Sequence, residues 1–223
     1  MISQVVGQLL PIAAAVALSP IPVVAVILVL DSTRGRVNGP AFAAGWLVGL
    51  TAVSVIVVAL AGGASDPDSA AATGVQWGKA ALGVLLLVMA ARQWKKRPRP
   101  GEEAAMPSWM ASLSELSPWR AVVLGLAVSA ANPKNLMLTA AAAATIAQAG
   151  LSTADEAITI AVFVALGSVT VVGAVLAHQL GGRRAEAPLA AMRRFMAANN
   201  AVIMMVVLLL LGLKVLGDAL GGL

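Results

Sequence analysis

Six apolar stretches alternate with short polar segments along the 223-residue chain. A helix needs about 20 apolar residues to cross a hydrocarbon core of about 30 Å. The pattern therefore predicts an all-α integral membrane protein with six transmembrane helices. The predicted spans are residues 3–30, 39–62, 73–91, 119–148, 154–180 and 197–220.

The first and the fourth stretch are too long for an upright helix, and each contains a proline near its middle. In both, a good N-cap residue directly precedes the proline, which is typical of the first turn of a helix. We therefore expect each of these spans to consist of two half-helices, the second of which starts near the middle of the membrane. The two cap-proline pairs are Ser19-Pro20 and Asn132-Pro133.

The order of the elements also predicts an internal repeat. Pro20 corresponds to Pro133, and Gly45-Trp46 in the second span corresponds to Gly167-Ser168 in the fifth. Because each half has an odd number of spans, the halves would insert with opposite orientations, as in secondary transporters with broken helices. Chance similarity between alanine-rich helices is the alternative. The predicted domains are a three-helix repeat at 1–91, a basic cytoplasmic linker with an interfacial helix at 92–118, and a second repeat at 119–223.

Basic residues occur in alternate connections between the predicted spans. The first, third and fifth connections contain lysine or arginine, whereas the second and the fourth contain only acidic charges. By the positive-inside rule the basic connections face the cytoplasm, and both termini face away from it. We therefore expect a multi-pass protein of the inner (plasma) membrane. Residues 183–198 are expected to be an ordinary positive-inside connection, with a second interfacial helix as the alternative.

Composition narrows the chemistry. Hydrophobic residues make up 60% of the chain, cysteine is absent, and there is one histidine. Disulfides, thiolate metal sites and histidine metal clusters are therefore excluded, and no metal or cofactor is expected. The net charge of +5 lies in the connections between spans, so it has a topological explanation and predicts no nucleic-acid partner. An enzyme is not expected, because no membrane-embedded constellation for acid-base or nucleophilic catalysis is present.

The candidate site lies where the two breaks would converge. A half-helix that starts in the membrane presents free N–H groups and the positive end of its dipole, which favours an anion. Lys134 adds a full charge there, and burying it at the helix centre costs at least about 2.5 to 3.5 kcal/mol. We expect it to meet an anion from outside the protein; the alternative is that it bonds to carbonyls that the break leaves free. The predicted substrate-binding residues are Ser19, Pro20, Pro22, Trp46, Asn132, Pro133, Lys134 and Asn135.

Trp46 belongs to this set as a residue expected to line the cavity, although filling a gap between helices is the alternative. The neighbouring Gly45 and Gly49 are suited to close helix packing, as is Gly167. We therefore expect the second span to pack tightly against other spans.

Other polar residues give weaker signals. Asp31 and Arg34 form either a cytoplasmic gate or a surface pair. His178, at the cytoplasmic end of the fifth span, either relays protons or has no role. Lys214 and Asp218 are one helical turn apart and are expected to pair with each other.

The chain resembles the GAP family, the glycopeptidolipid-addressing and sulfolipid-addressing membrane proteins of actinobacteria, a branch of the lysine exporter (LysE) superfamily. The resemblance extends over nearly the whole chain. It implies six spans in two inverted repeats and a role in moving envelope glycolipids outward across the inner membrane. The motifs that carry it are Ser19-Pro20-Ile21-Pro22, the Ala41-Phe42-Ala43-Ala44-Gly45-Trp46-Leu47-Val48-Gly49 segment and Asn132-Pro133-Lys134-Asn135-Leu136.

Together these features predict a transporter or flippase that exports anionic amphiphiles, with envelope glycolipids as the class that the resemblance implies. The expected partners are this lipid, the surrounding membrane lipids, and a second copy of the chain or a lipid-export complex. A LysE-type exporter of small amino acids or ions is the first alternative, and it predicts a small closed polar cavity instead of an apolar groove open to the bilayer. The second alternative is a non-transporting scaffold for lipid-export machinery.

Overall fold

The computed structural model describes residues 2–61, 70–95 and 116–221, and within these segments all regular structure is helical. The predicted interfacial helix in the 92–118 linker lies almost wholly outside the described residues. The helices are α1 (Ile2–Ala17), α2 (Pro20–Leu30), α3 (Gly35–Ala61), α4 (Ala70–Lys95), α5 (Pro118–Leu126) with a π-helical turn (Ala127–Ala131), α6 (Pro133–Ala147), α7 (Thr153–Gly167), α8 (Val169–Gly181), α9 (Arg183–Ala198) and α10 (Asn200–Leu220).

The first and the fourth predicted span are broken at the expected positions. α1 and α2 meet at an angle of 52°, and the helices on either side of Asn132 meet at 64°. Pro20 and Pro133 each begin the second half-helix, where proline is favoured because the N–H group it lacks would have no helical partner. The prediction of two broken spans at these prolines is confirmed.

A third break lies in the fifth span, where the sequence did not predict one. α7 ends at Gly167, α8 begins at Val169, and the two helices meet at 61°. No proline is present at this break. A glycine-serine pair is another common cause of a sharp kink, especially where a side chain bonds into the helical ladder. The expectation of only two broken spans is thus corrected to three.

The described helices identify a multi-pass membrane protein. α3 and α10 are each apolar enough to cross a membrane alone, with a mean hydropathy of 2.3, and up to five spans result if each bent pair is one span. α4 covers the third predicted span as one continuous helix of 26 residues. The total of six spans and the inverted repeats stay predictions.

The chain divides into two compact units, and each unit takes helices from both halves of the sequence. One unit contains α1 to α3 together with α5 to α9 as far as Ala197, and the other pairs α4 with α10. In the smaller unit Gly83 faces Leu216 and Gly212 faces Leu87, so the two antiparallel helices pack closely. Each unit therefore combines spans that the predicted repeat would make equivalent.

α3 is the central helix of the larger unit, where it packs against α5, α6 and the π-helical turn. A Cβ atom added to Gly45 would lie 2.0 Å from the carbonyl oxygen of Val122, and one added to Gly125 would lie 2.1 Å from that of Phe42. Only glycine permits such an approach of two helix backbones. The expected close packing of the second span is confirmed.

Substituting Gly125 by alanine is expected to lower the stability of the protein by about 1 to 3 kcal/mol, because the added methyl group would force α3 and α5 apart. Gly173→Ala is the matched control, since a Cβ at this helical position meets nothing within 4 Å. The thermal unfolding midpoints of the purified variants in detergent test this expectation. Equal midpoints for the two variants would show that the α3–α5 contact does not require glycine.

Candidate functional site

The end of α1 has a backbone carbonyl without its helical partner. In a continuous helix the N–H of Ser19 would donate to the carbonyl of Ala15, but here it donates to Val16 at 3.1 Å. The ammonium of Lys134 replaces it, with Nζ donating to the Ala15 carbonyl oxygen at 3.0 Å. The cation thus lies at the negative end of the α1 dipole. This contact matches the alternative in which Lys134 bonds to a carbonyl that a break leaves free.

The break in the fifth span is joined to the same region by two hydrogen bonds. Thr170 Oγ1 donates to the carbonyl oxygen of Ala17 at 2.5 Å, and Trp46 Nε1 donates to Ser168 Oγ at 3.0 Å. Trp46 and Ser168 are both buried. The breaks in the first, fourth and fifth spans therefore meet beside the middle of α3. We call this contact set the junction; it consists of Ala15, Ala17, Trp46, Lys134, Ser168 and Thr170.

The break in the fourth span is capped on both sides by asparagine. Asn132 Oδ1 accepts from the backbone N–H of Lys134 at 3.1 Å, as its predicted N-cap role requires. Asn135 Nδ2 donates back to the carbonyl oxygen of Val128 in the π-helical turn at 3.0 Å. At the first break, by contrast, the side chain of Ser19 makes no capping bond.

The two half-helix N-termini have different neighbours. α2, whose start contains the buried Pro20 and Pro22, packs on α3 and α8 and also contacts the π-helical turn, whereas α6 packs on α3 and α1. α2 and α6 are not in contact with each other. The convergence of their starts on one site stays a prediction, and the contact that is seen joins the lysine of α6 to the negative end of α1.

The ammonium of Lys134 has no acidic partner in the described part of the chain. The ion pairs found there are Lys214 with Asp218 at 2.7 Å, as predicted, and Asp31 with Arg193 at 2.6 Å. An ammonium group has three donor hydrogens, and Ala15 accepts one of them. Lys134 is therefore a partly buried cation with donors left for a further acceptor.

An apolar groove of about 750 Å³ runs between α3 and α7. Its lining is aliphatic except for Thr51, Thr153 and Glu156. The lining residue Leu47 directly follows Trp46 of the junction, and Ala165 lies one helical turn before the third break. One end of the groove therefore adjoins the junction, and the other end reaches the first turn of α7.

A comparison with known protein families matches residues 9–221 to the family described as Sap, sulfolipid-1-addressing protein (SfLAP). The chain belongs to this family. The match confirms the resemblance to the glycopeptidolipid- and sulfolipid-addressing proteins, while the placement in the LysE superfamily stays a prediction. No curated protein and no solved structure matches the chain. Membership of the SfLAP family connects this membrane protein, with its junction and groove, to lipid addressing.

Asp31 has a different partner in this SfLAP chain from the one predicted. It caps the end of α2 and pairs with Arg193 of α9, not with Arg34, and a gating role of the pair stays a prediction. The partner differs because residues 183–198 form the helix α9, which brings its arginines toward the end of α2. His178 lies partly buried in the last turn of α8, and its imidazole has no hydrogen bond within the described segments.

The roles of three polar residues of the SfLAP chain were not predicted from the sequence; Ser168 and Thr170 join the breaks, and Asn38 lies away from them on α3. Ser168 and Thr170 lie in an apolar span without proline, so only the Gly167-Ser168 pair signalled a kink there. Asn38 is fully buried, and its Nδ2 donates to the carbonyl oxygen of Leu116 at 2.8 Å. No local pattern predicts that contact, because its partners are 78 residues apart.

Proposed function

We propose that this SfLAP protein is an inner-membrane transporter that exports anionic amphiphiles, in the class of envelope glycolipids. The headgroup would bind at the junction through Lys134, and an acyl chain would lie in the groove between α3 and α7. Both termini would face away from the cytoplasm, and the protein would have no catalytic activity of its own.

The groove carries this proposal. An exporter of small polar solutes needs a closed polar cavity. The cavity beside the junction instead has apolar walls, and two of its three polar side chains, Thr153 and Glu156, lie at the end near the start of α7. Its volume of about 750 Å³ is that of a ligand pocket, for which about 300 to 1,000 Å³ is usual. The side chains that line it on α3 include Val55, which is 50% exposed. In a membrane such residues face hydrocarbon, so a lipid tail could enter sideways.

Lys134 supports the choice of an anionic headgroup. Its ammonium interacts with a single carbonyl dipole, and a full negative charge is a stronger partner than a dipole. An arriving sulfate, phosphate or carboxylate would therefore compete with Ala15 for the ammonium. Loss of the bond to Ala15 would loosen α1 from α6 and permit one part of the larger unit to rock against the other.

Deleting the gene is expected to remove at least one anionic lipid from the cell surface, and the wild-type gene is expected to restore it. Comparative analysis of surface and whole-cell lipids measures this, because a transport defect moves the lipid from the surface to the cell interior without stopping its synthesis. An unchanged surface lipid profile would contradict the proposal. Loss of the lipid from both fractions would instead favour a scaffold for lipid synthesis.

A further inference from the structure

Two buried oxygen atoms on α6 have no hydrogen-bond partner among the residues that the structure describes. They are Oδ1 of Asn135 and Oγ1 of Thr139, and both residues are completely buried. Because they are four positions apart on a helix, their side chains share one face. Thr139 differs in this from Thr145 of the same helix, whose Oγ1 donates to the carbonyl oxygen of Ala141 at 3.0 Å. Leaving such groups unpaired is unfavourable, so the pair indicates a bound species that satisfies them.

Two helix ends of opposite sign meet at this pair, because the start of α6 is positive and the end of the π-helical turn is negative. Pro133 has no N–H, and the N–H of Lys134 is taken by the side chain of Asn132. The carbonyl oxygens at the end of the π-helical turn therefore lack two of the N–H donors that would continue its backbone hydrogen bonds. A helix C-terminus also carries about half a negative charge. Asn135 reaches into this end by its bond to Val128, which places its free oxygen beside it.

The ends of α1 and of the π-helical turn thus have different hydrogen-bond donors. The end of α1 receives the ammonium of Lys134, while the end of the π-helical turn receives only the neutral amide of Asn135. Oxygen groups from half-helix ends and unwound backbone are the usual ligands of alkali ions in transporters. A divalent ion is disfavoured, because both side-chain oxygens are neutral and the neighbouring Lys134 repels a second charge.

We propose that a single alkali cation binds at the fourth-span break, held by Asn135 Oδ1, Thr139 Oγ1 and carbonyl oxygens of the π-helical turn. This site is separate from the headgroup site at Lys134 and does not depend on the proposed lipid substrate. Its ion would stabilise the break and is a candidate for the ion whose gradient drives transport.

Thermal unfolding of the full chain in detergent tests the site, with sodium chloride replaced stepwise by choline chloride at constant ionic strength. The midpoint is expected to rise by several degrees with sodium and to keep rising with the logarithm of its concentration, as for any ligand that binds only the folded state. The same titration with potassium chloride shows which alkali ion is preferred. A midpoint that does not differ between either alkali salt and choline would overturn the proposal and leave a buried water as the occupant.

Three threonine variants locate the effect. Thr139→Val removes one ligand while keeping the shape, and it is expected to remove about half or more of the alkali-dependent shift without lowering the midpoint in choline, which corresponds to a loss of affinity on the order of tenfold or more. Thr139→Ser keeps the oxygen and should keep the shift, as should Thr145→Val, whose hydroxyl bonds within the helix. A full shift in Thr139→Val would overturn the assignment. These measurements involve no lipid. The ion site can therefore be confirmed when the lipid proposal is wrong, and it can be refuted when the lipid proposal is right.

Discussion

Replacing Lys134 by methionine is expected to reduce lipid export by about 10- to 100-fold while leaving a folded protein in the membrane. The fold-change follows from the loss of one hydrogen bond to a charged group, worth about 1.5 to 3 kcal/mol, at about 1.4 kcal/mol per tenfold. Methionine keeps the apolar stem of the lysine, so packing between α6 and α1 is largely retained. The amount of lipid at the surface of a complemented deletion strain, divided by the amount of protein in the membrane, measures the effect.

Two further variants separate charge from structure. Lys134→Arg keeps the charge and is expected to retain part of the export. Thr170→Val removes the bond to the Ala17 carbonyl, so it leaves the same end of α1 with a carbonyl unpaired but changes no charge. Equal losses of export in Lys134→Met and Thr170→Val would show that Lys134 only caps α1.

Filling the groove between α3 and α7 is expected to stop the export of long-chain lipids. Ala161 lines the groove and is exposed, so Ala161→Trp would place a large ring in the path of an acyl chain. We expect export to fall at least about tenfold, because even about 1.4 kcal/mol of lost binding has that effect. Competition between analogues with long and short acyl chains in a transport assay measures the change.

The control for this substitution lies on the same helix. Ile158 is 51% exposed and does not line the groove, so Ile158→Trp adds a ring of the same kind outside it. This variant should export normally. The groove assignment is wrong if both tryptophan variants are equally active, or if Ala161→Trp impairs short and long chains alike.

The breaks at Pro20 and Pro133 could be predicted because their causes are local. Proline lacks an N–H and is favoured in the first turn of a helix, so a serine or asparagine cap followed by proline indicates a helix start. The Asn132 cap and the pair of Lys214 with Asp218 follow from equally short spacings.

The partners of these groups could not be predicted in the same way. That Lys134 bonds to Ala15, 119 positions away, depends on how α6 crosses α1. Whether Lys134 meets an outside anion or a carbonyl that a break leaves free could not be decided from the sequence, because the same local pattern fits both outcomes. The groove likewise depends on the separation of α3 and α7, which no pattern along either helix reveals.

The most direct test of the account is lipid movement in vesicles that contain the purified protein. The vesicles would carry two fluorescent lipids with identical acyl chains, one with a sulfate headgroup and one with an uncharged hydroxyl headgroup, and bleaching from outside would report transfer between leaflets. The account predicts that the wild-type protein moves the sulfated lipid at least about tenfold faster than the uncharged one, and that Lys134→Met removes this difference. Equal rates for both lipids with the wild-type protein, or an unchanged preference in Lys134→Met, would contradict it.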